Sequence, residues 1–269
     1  MRNSSKVSSA KILNKVYTQP NCYFSFHEGV AGSDPGDIPD QAGTSLVAAP
    51  DTATTGQWTG KPGYWKGTAA NSTDGFEILR SDDTTNFDAI YNLNSSVLVQ
   101  AFYVFADTDP SAGCRLMSLG NPSPDYLLPL DLKYLTTGVV QMVVTGTSSQ
   151  VSQNFIDLPA EASPNEAVFV HVFDTIGMTA TSYTFFPGTK TLMTTAVTSD
   201  ISGTGVPTTL PTNSKVCIGR SFSTGDAAIN HAKNISVRDY RAIHFGSAPS
   251  NLSDIIEEIA VNCSLGTRR

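Results

Sequence analysis

Residues able to do chemistry are few in this chain, and their spacing argues against most reactions. The 269 residues hold four histidines and four cysteines, and Cys22, Cys114, Cys217 and Cys263 lie too far apart for metal-knuckle spacing. There is no Gly-x-Ser-x-Gly nucleophile elbow, and Cys22 with His27 is only an isolated thiol–imidazole pairing near the first predicted strand. His171 stands inside the apolar run Ala167–Phe173 and reads as a packed core histidine with one nitrogen satisfied. Its neighbour Asp174 falls on the opposite face of a strand by period-two alternation. The glutamates are Glu28, Glu77, Glu161, Glu166, Glu257 and Glu258; the last two fall in a closing helix, and Glu161 and Glu166 flank a Pro-containing loop.

Two other constellations could bind rather than react. Asp34, Asp37 and Asp40, and separately Asp107 and Asp109, are candidate calcium ligands, because hard carboxylate oxygens at loop ends suit that ion. Aspartate is equally the ordinary residue of turns, and neither group matches a defined calcium loop. No other cofactor is expected. Trp58, Trp65, Tyr64 and Tyr91 are aromatics in or near glycine-rich segments that could form a sugar platform; Trp58 and Trp65 are the candidate glycan contacts, and the competing reading is a core or loop anchor.

The elements that must hold these residues are strands. Charged residues make up only 15% of the chain, Ser and Thr are abundant, and 21 Gly with 15 Pro supply frequent turns. Ser96–Ala106 is a nearly continuous apolar run and predicts a central strand. Further strands are expected at Cys22–Phe26, Leu116–Gly120, Tyr126–Leu132, Val139–Thr145, Ala167–Phe173, Ser182–Phe186 and Val216–Gly219. Ile235–Ile243 alternates apolar and polar residues as a half-buried strand does. Asn251-Leu252-Ser253-Asp254 then starts a short helix, with Ser253 as the expected N-cap and acidic residues suited to the positive end of its dipole.

The net charge of -7 argues against nucleic-acid binding by the body of the protein. The sign is uneven, since Arg2, Lys6, Lys11 and Lys15 all precede the first acidic residue, Glu28. Residues 1–20 therefore read as a basic arm and residues 21–269 as one domain. The sequence start lacks the apolar stretch of a secretory signal, and no run approaches a membrane span. The expectation is synthesis in a cytoplasm, with reduced and mostly buried cysteines and no membrane partner.

The order Val216-Cys217-Ile218-Gly219, Ile235-Ser236-Val237-Arg238-Asp239-Tyr240 and Ala248-Pro249-Ser250 before the closing helix resembles the C-terminal signature of concanavalin A-like, laminin-G-type domains. Asp40-Gln41-Ala42-Gly43 resembles their opening "D-x-x-G" turn, and Pro187-Gly188 stands where their hairpin commonly carries Asn-Gly. The resemblance implies an all-β, two-sheet antiparallel jelly-roll sandwich with a short C-terminal helix and an extended N-terminal arm. Laminarinase-like hydrolases of this architecture carry Glu-x-Asp-x-x-Glu on one strand, and that motif is absent here, so a non-enzymatic protein is expected. Such sandwiches serve in tailed bacteriophages as head decorations and tail components. One expectation is thus a virion protein, homo-oligomeric in its assembly, anchored to capsid or tail subunits through Arg2, Lys6, Lys11 and Lys15. The alternative is a lectin-like module recognising host-surface glycans.

Overall fold

The computed structural model describes residues 20–26, 36–50, 57–59, 64–66, 76–79, 84–106, 114–120, 130–134, 139–154, 165–187, 191–192, 196–207, 209–210, 214–219 and 235–265. With strands numbered in chain order, these residues build two large antiparallel sheets. The seven-stranded sheet runs β1 (Cys22–Ser25), β17 (Ile235–Phe245), β7 (Val97–Ala106), β12 (Asn165–Asp174), β13 (Thr179–Phe186) and β14 (Thr191–Leu192), with β15 (Val197–Asp200) also on β13. The eight-stranded sheet runs β11 (Gln150–Asn154), β10 (Val140–Thr145), β9 (Leu130–Tyr134), β8 (Cys114–Gly120), β16 (Lys215–Ile218), β6 (Phe76–Leu79), β3 (Val47–Pro50) and β2 (Ile38–Pro39). A separate ribbon pairs β4 (Gln57–Thr59) with β5 (Tyr64–Lys66), and two helices, α1 (Thr84–Ile90) and α2 (Leu252–Leu265), complete the described elements. The chain is the two-sheet antiparallel jelly-roll sandwich that its sequence implies. No described helix is long and apolar enough to cross a membrane.

Two apolar cores explain the sequence pattern. Between the sheets, Phe24, Leu98, Phe102, Phe169 and Phe173 of one face meet Leu116, Leu132, Met142 and Val216 of the other. The outer face of the seven-stranded sheet forms the second core, where Val97, Val99, Ala101, Val168, Val170 and Ile243 pack under Ile255, Ile256, Ile259, Ala260 and Cys263 of α2. Those helix residues recur at three- and four-residue spacing, which gathers them into one stripe. Burying each isoleucine of the stripe stabilises the docked helix by about 1.5–3 kcal/mol. β7 therefore has apolar neighbours on both faces, which is why it reads as a continuous run rather than an alternation.

Local corrections follow from geometry. The closing helix begins at Leu252, and the Asn251 carbonyl accepts the Ile255 N–H at 3.1 Å, so Asn251 and not Ser253 occupies the capping position. Glu166 lies in β12 opposite Phe105 of β7, not in a loop, because β7 continues to Ala106 and keeps its partner paired. β9 occupies Leu130–Tyr134, and the earlier part of the strand expected from Tyr126 lies outside the described residues. β17 carries a bulge between Val237 and Asp239, which turns Asp239 and Arg241 outward while Tyr240 and Ala242 stay inside. The hairpin after β13 is present, with Phe186 opposite Thr191. Cys22, Cys217 and Cys263 are buried.

Candidate functional site

The two candidate tryptophans come together in the backbone. β4 and β5 pair antiparallel with Gln57 opposite Lys66, Trp58 opposite Trp65 and Thr59 opposite Tyr64. Aromatic and β-branched residues favour strands, and three of these six positions are aromatic. Directly opposed positions share one face of a ribbon, so positions 58 and 65 are immediate neighbours on one side. In the chain this ribbon is inserted between β3 and β6, which pair with each other in the eight-stranded sheet. It leaves that sheet, and β5 lies against β17 of the other.

The outer face of the eight-stranded sheet carries a polar row. Glu77, Cys217, Ser118 and Asp131 are successive register partners across β6, β16, β8 and β9. Asp131 is 2% exposed and accepts from Arg115 Nε at 2.9 Å and Ser118 Oγ at 3.0 Å, with Lys133 Nζ at 3.4 Å. Two cations and a hydroxyl converge on one carboxylate, which holds position and charge rather than offering a free acid or base. The chain signal was the alternation Leu130-Asp131-Leu132-Lys133, but Arg115 joins through a bulge between Arg115 and Met117 that no spacing rule reveals.

A third cluster stands at one end of the seven-stranded sheet. Tyr103 Oη donates to Glu166 Oε2 at 2.6 Å. Arg238 Nη1 lies 3.7 Å from the same oxygen, with its guanidinium 5.5 Å from the Tyr103 ring centroid. A phenol becomes a nucleophile only when its proton is removed. Here burial first, and then the hydrogen bond to Glu166, push the Tyr103 phenol well above its ordinary value, so it stays protonated at neutral pH.

A fourth cluster is buried on the outer face of the seven-stranded sheet. Asp239 and Arg241 are 0% and 1% exposed, their side chains meet at 2.9 and 3.3 Å, and the guanidinium sits 4.0 Å from the Tyr23 ring centroid. Burial pushes Asp239 up, and the guanidinium beside it opposes that shift.

The calcium candidates separate. Asp40 is buried, and its carboxylate accepts the N–H groups of Tyr23 at 2.6 Å, Ala42 at 3.0 Å and Thr44 at 3.1 Å, and also the Thr44 hydroxyl. This network ties the turn to β1, and Gly43 within it takes a φ of +90°, where a Cβ would be strained. Asp37 is exposed. Asp34, Asp107 and Asp109 lie outside the described residues, as do Arg2, Lys6, Lys11 and Lys15 of the arm. Among the described residues no group of three or more His, Cys, Asp or Glu is arranged to hold a metal ion. His171 packs into the core as expected, but neither of its nitrogens has a hydrogen-bond partner, where one was anticipated. Asp174 faces away and binds the N–H groups of Ile176 and Gly177.

No family model matches the chain, and no curated protein does. Solved structures do. The chain is similar to the Trypanosoma rangeli sialidase in complex with the inhibitor DANA, with a TM-score of 0.58 and 12% identity over 89% of this chain and 32% of that one. The same sialidase in complex with sialic acid gives a TM-score of 0.57 and 13% identity over 90% and 32%. A Ruminococcus gnavus IT-sialidase CBM40 bound to alpha2,3 sialyllactose gives a TM-score of 0.49 and 11% identity over 69% and 92%. The chain thus spans about a third of the length of the sialidases it matches. At this identity the likeness is one of fold.

Proposed function

We propose that the chain is a carbohydrate-binding sandwich module without catalysis of its own, with Trp58 and Trp65 as its glycan contacts. The observation that carries this reading is the ribbon that sets the two tryptophans directly opposite each other. Indole faces stack on the apolar C–H faces of sugar rings, and two adjacent aromatics make a platform of the size a saccharide needs. The fold supports the reading, because it is shared with a sialidase that has been captured with sialic acid. The two charged clusters described on the sheets support this reading. Asp131 is tied to two cations and Tyr103 is held protonated, so neither cluster supplies an activated nucleophile.

The test is a broad glycan array, including sialylated and neutral saccharides, with and without calcium, followed by calorimetry on the hits. Saturable binding that is lost in Trp58→Ala and Trp65→Ala, with the fold retained by circular dichroism, supports the proposal. An array with no saturable signal refutes it.

The charge asymmetry of residues 1–20 motivates a second reading, an interaction protein of a virus particle anchored by its basic arm. Deleting residues 1–20 would then abolish incorporation into particles while the sandwich still folds. Normal incorporation of the truncated chain would sink that reading.

A further inference from the structure

A line of polar side chains crosses the interior of the sandwich, and it is interrupted at one residue. On the inner face of the seven-stranded sheet, Cys22, Ala242, Gln100, His171 and Ser182 are successive register partners across β1, β17, β7, β12 and β13. From one side, Tyr240 Oη donates to Gln100 Oε1 at 3.4 Å. A phenol has a single proton, so the Tyr91–Tyr240 contact of 2.9 Å must have Tyr91 as donor. By the same count, the Cys22 thiol donates to Tyr91 across 3.8 Å. From the other side, Ser182 Oγ donates to Gln153 Oε1 at 2.7 Å, and Gln153 Nε2 donates to the carbonyls of Ala180 and Val197. Between Gln100 and Ser182 stands His171, fully buried. The unpartnered atoms of the line are Gln100 Nε2, His171 Nδ1 and His171 Nε2, all at this one gap.

The donors and acceptors left over at the gap are complementary. Gln100 has amide donors left over, neutral His171 has one acceptor and one donor, and Ser182 has lone pairs left after donating to Gln153. We propose that the sandwich interior holds two ordered water molecules at this gap, one between Gln100 Nε2 and His171, the other between His171 and Ser182 Oγ. The first water accepts from Gln100 and donates to the bare imidazole nitrogen. The second accepts from the imidazole N–H and donates to Ser182. Every hydrogen bond on each side of Gln100's amide then points the same way, toward the β11 edge, and no buried polar atom of the line is left unmet. The row becomes a continuous hydrogen-bonded seam joining β1 to β11 through the middle of an otherwise apolar core.

A crystal structure of the full chain at a resolution that shows ordered water tests this directly, together with magnetic relaxation dispersion to count long-lived internal waters. The expected result is density at both positions. The count should fall by one in Gln100→Leu, which keeps His171 and the second water, and by two in His171→Phe. Gln100→Leu serves as the reporter if His171→Phe does not fold. A direct Gln100–His171 or His171–Ser182 hydrogen bond, no density at the gap, or an unchanged count in Gln100→Leu overturns the proposal.

Discussion

Acidification should weaken the sandwich through His171. The imidazole is fully buried on the inner face between Phe169 and Phe173, and burial alone lowers it from 6.5 to about 3. Its in-register neighbours on that face, Gln100 and Ser182, are neutral. The folded state thus keeps the imidazole neutral while the unfolded chain takes up a proton near pH 6.5, so the unfolded state binds more protons throughout the window from 6.5 to 3. Stability is full above pH 6.5 and is lost as pH falls. At about 1.4 kcal/mol per pH unit, the loss reaches about 2.7 kcal/mol at pH 4.5 and approaches about 5 kcal/mol below pH 3. That is a large share of the roughly 5–15 kcal/mol that holds a domain together. The assay is urea unfolding of the native chain and of His171→Phe at pH 7 and pH 4.5. Other titrating groups act on both proteins, so the difference between the two pH-induced losses isolates His171. The native chain should lose about 2.7 kcal/mol more than the variant. Equal losses would refute the reasoning, because they would place the acid sensitivity in groups other than this imidazole.

Asp239→Leu should destabilise the chain by about 3–5 kcal/mol, since it strands the buried Arg241 guanidinium, whereas Asp239→Leu combined with Arg241→Met should recover most of that loss in the same urea titration. Gly43→Ala should cost about 1–3 kcal/mol, read as a lower Tm; nothing stands within 4 Å of the added carbon, so the whole cost is the φ of +90°. Asp40→Ala should free the β1 edge by leaving the Tyr23, Ala42 and Thr44 N–H groups without their acceptor, and amide hydrogen exchange at Tyr23 should speed up while that of β7 stays slow. Tyr103→Phe should leave glycan affinity unchanged in calorimetry, and neither it nor the native chain should hydrolyse a sialoside.

The strands were legible where burial imposes a pattern on consecutive residues. β7 reads as a strand because α2 and the inner core each cover one of its faces, and β17 reads as one because apolar and polar residues alternate again after the bulge, with the phase shifted by one. α1 was missed: Thr84–Ile90 is only two turns long and holds on by Phe87 and Ile90, too few residues to show a period. The polar clusters were invisible for another reason. Asp131 meets Arg115 only because β8 and β9 pair around a bulge, and the interior line joins residues 22, 91, 240, 100, 171, 182 and 153, whose neighbourhood exists only once the strands are ordered. The Trp pair lay between these cases. Both residues could be named from the chain, but their opposition needed the ribbon's register.

The position of β17 sets the order in which this chain can acquire its structure. β17 is the last described strand, yet it lies between β1 and β7, and among the described residues β1 has no other strand partner in its sheet. During synthesis β1 leaves the ribosome and must wait more than 200 residues for the strand it pairs with. Closure of the sandwich is therefore deferred until the C-terminal segment emerges, and in the interval the edge of β7 that β17 will occupy is open to pairing with other chains. Folding of this chain should therefore be paced by closure of the loop between β1 and β17.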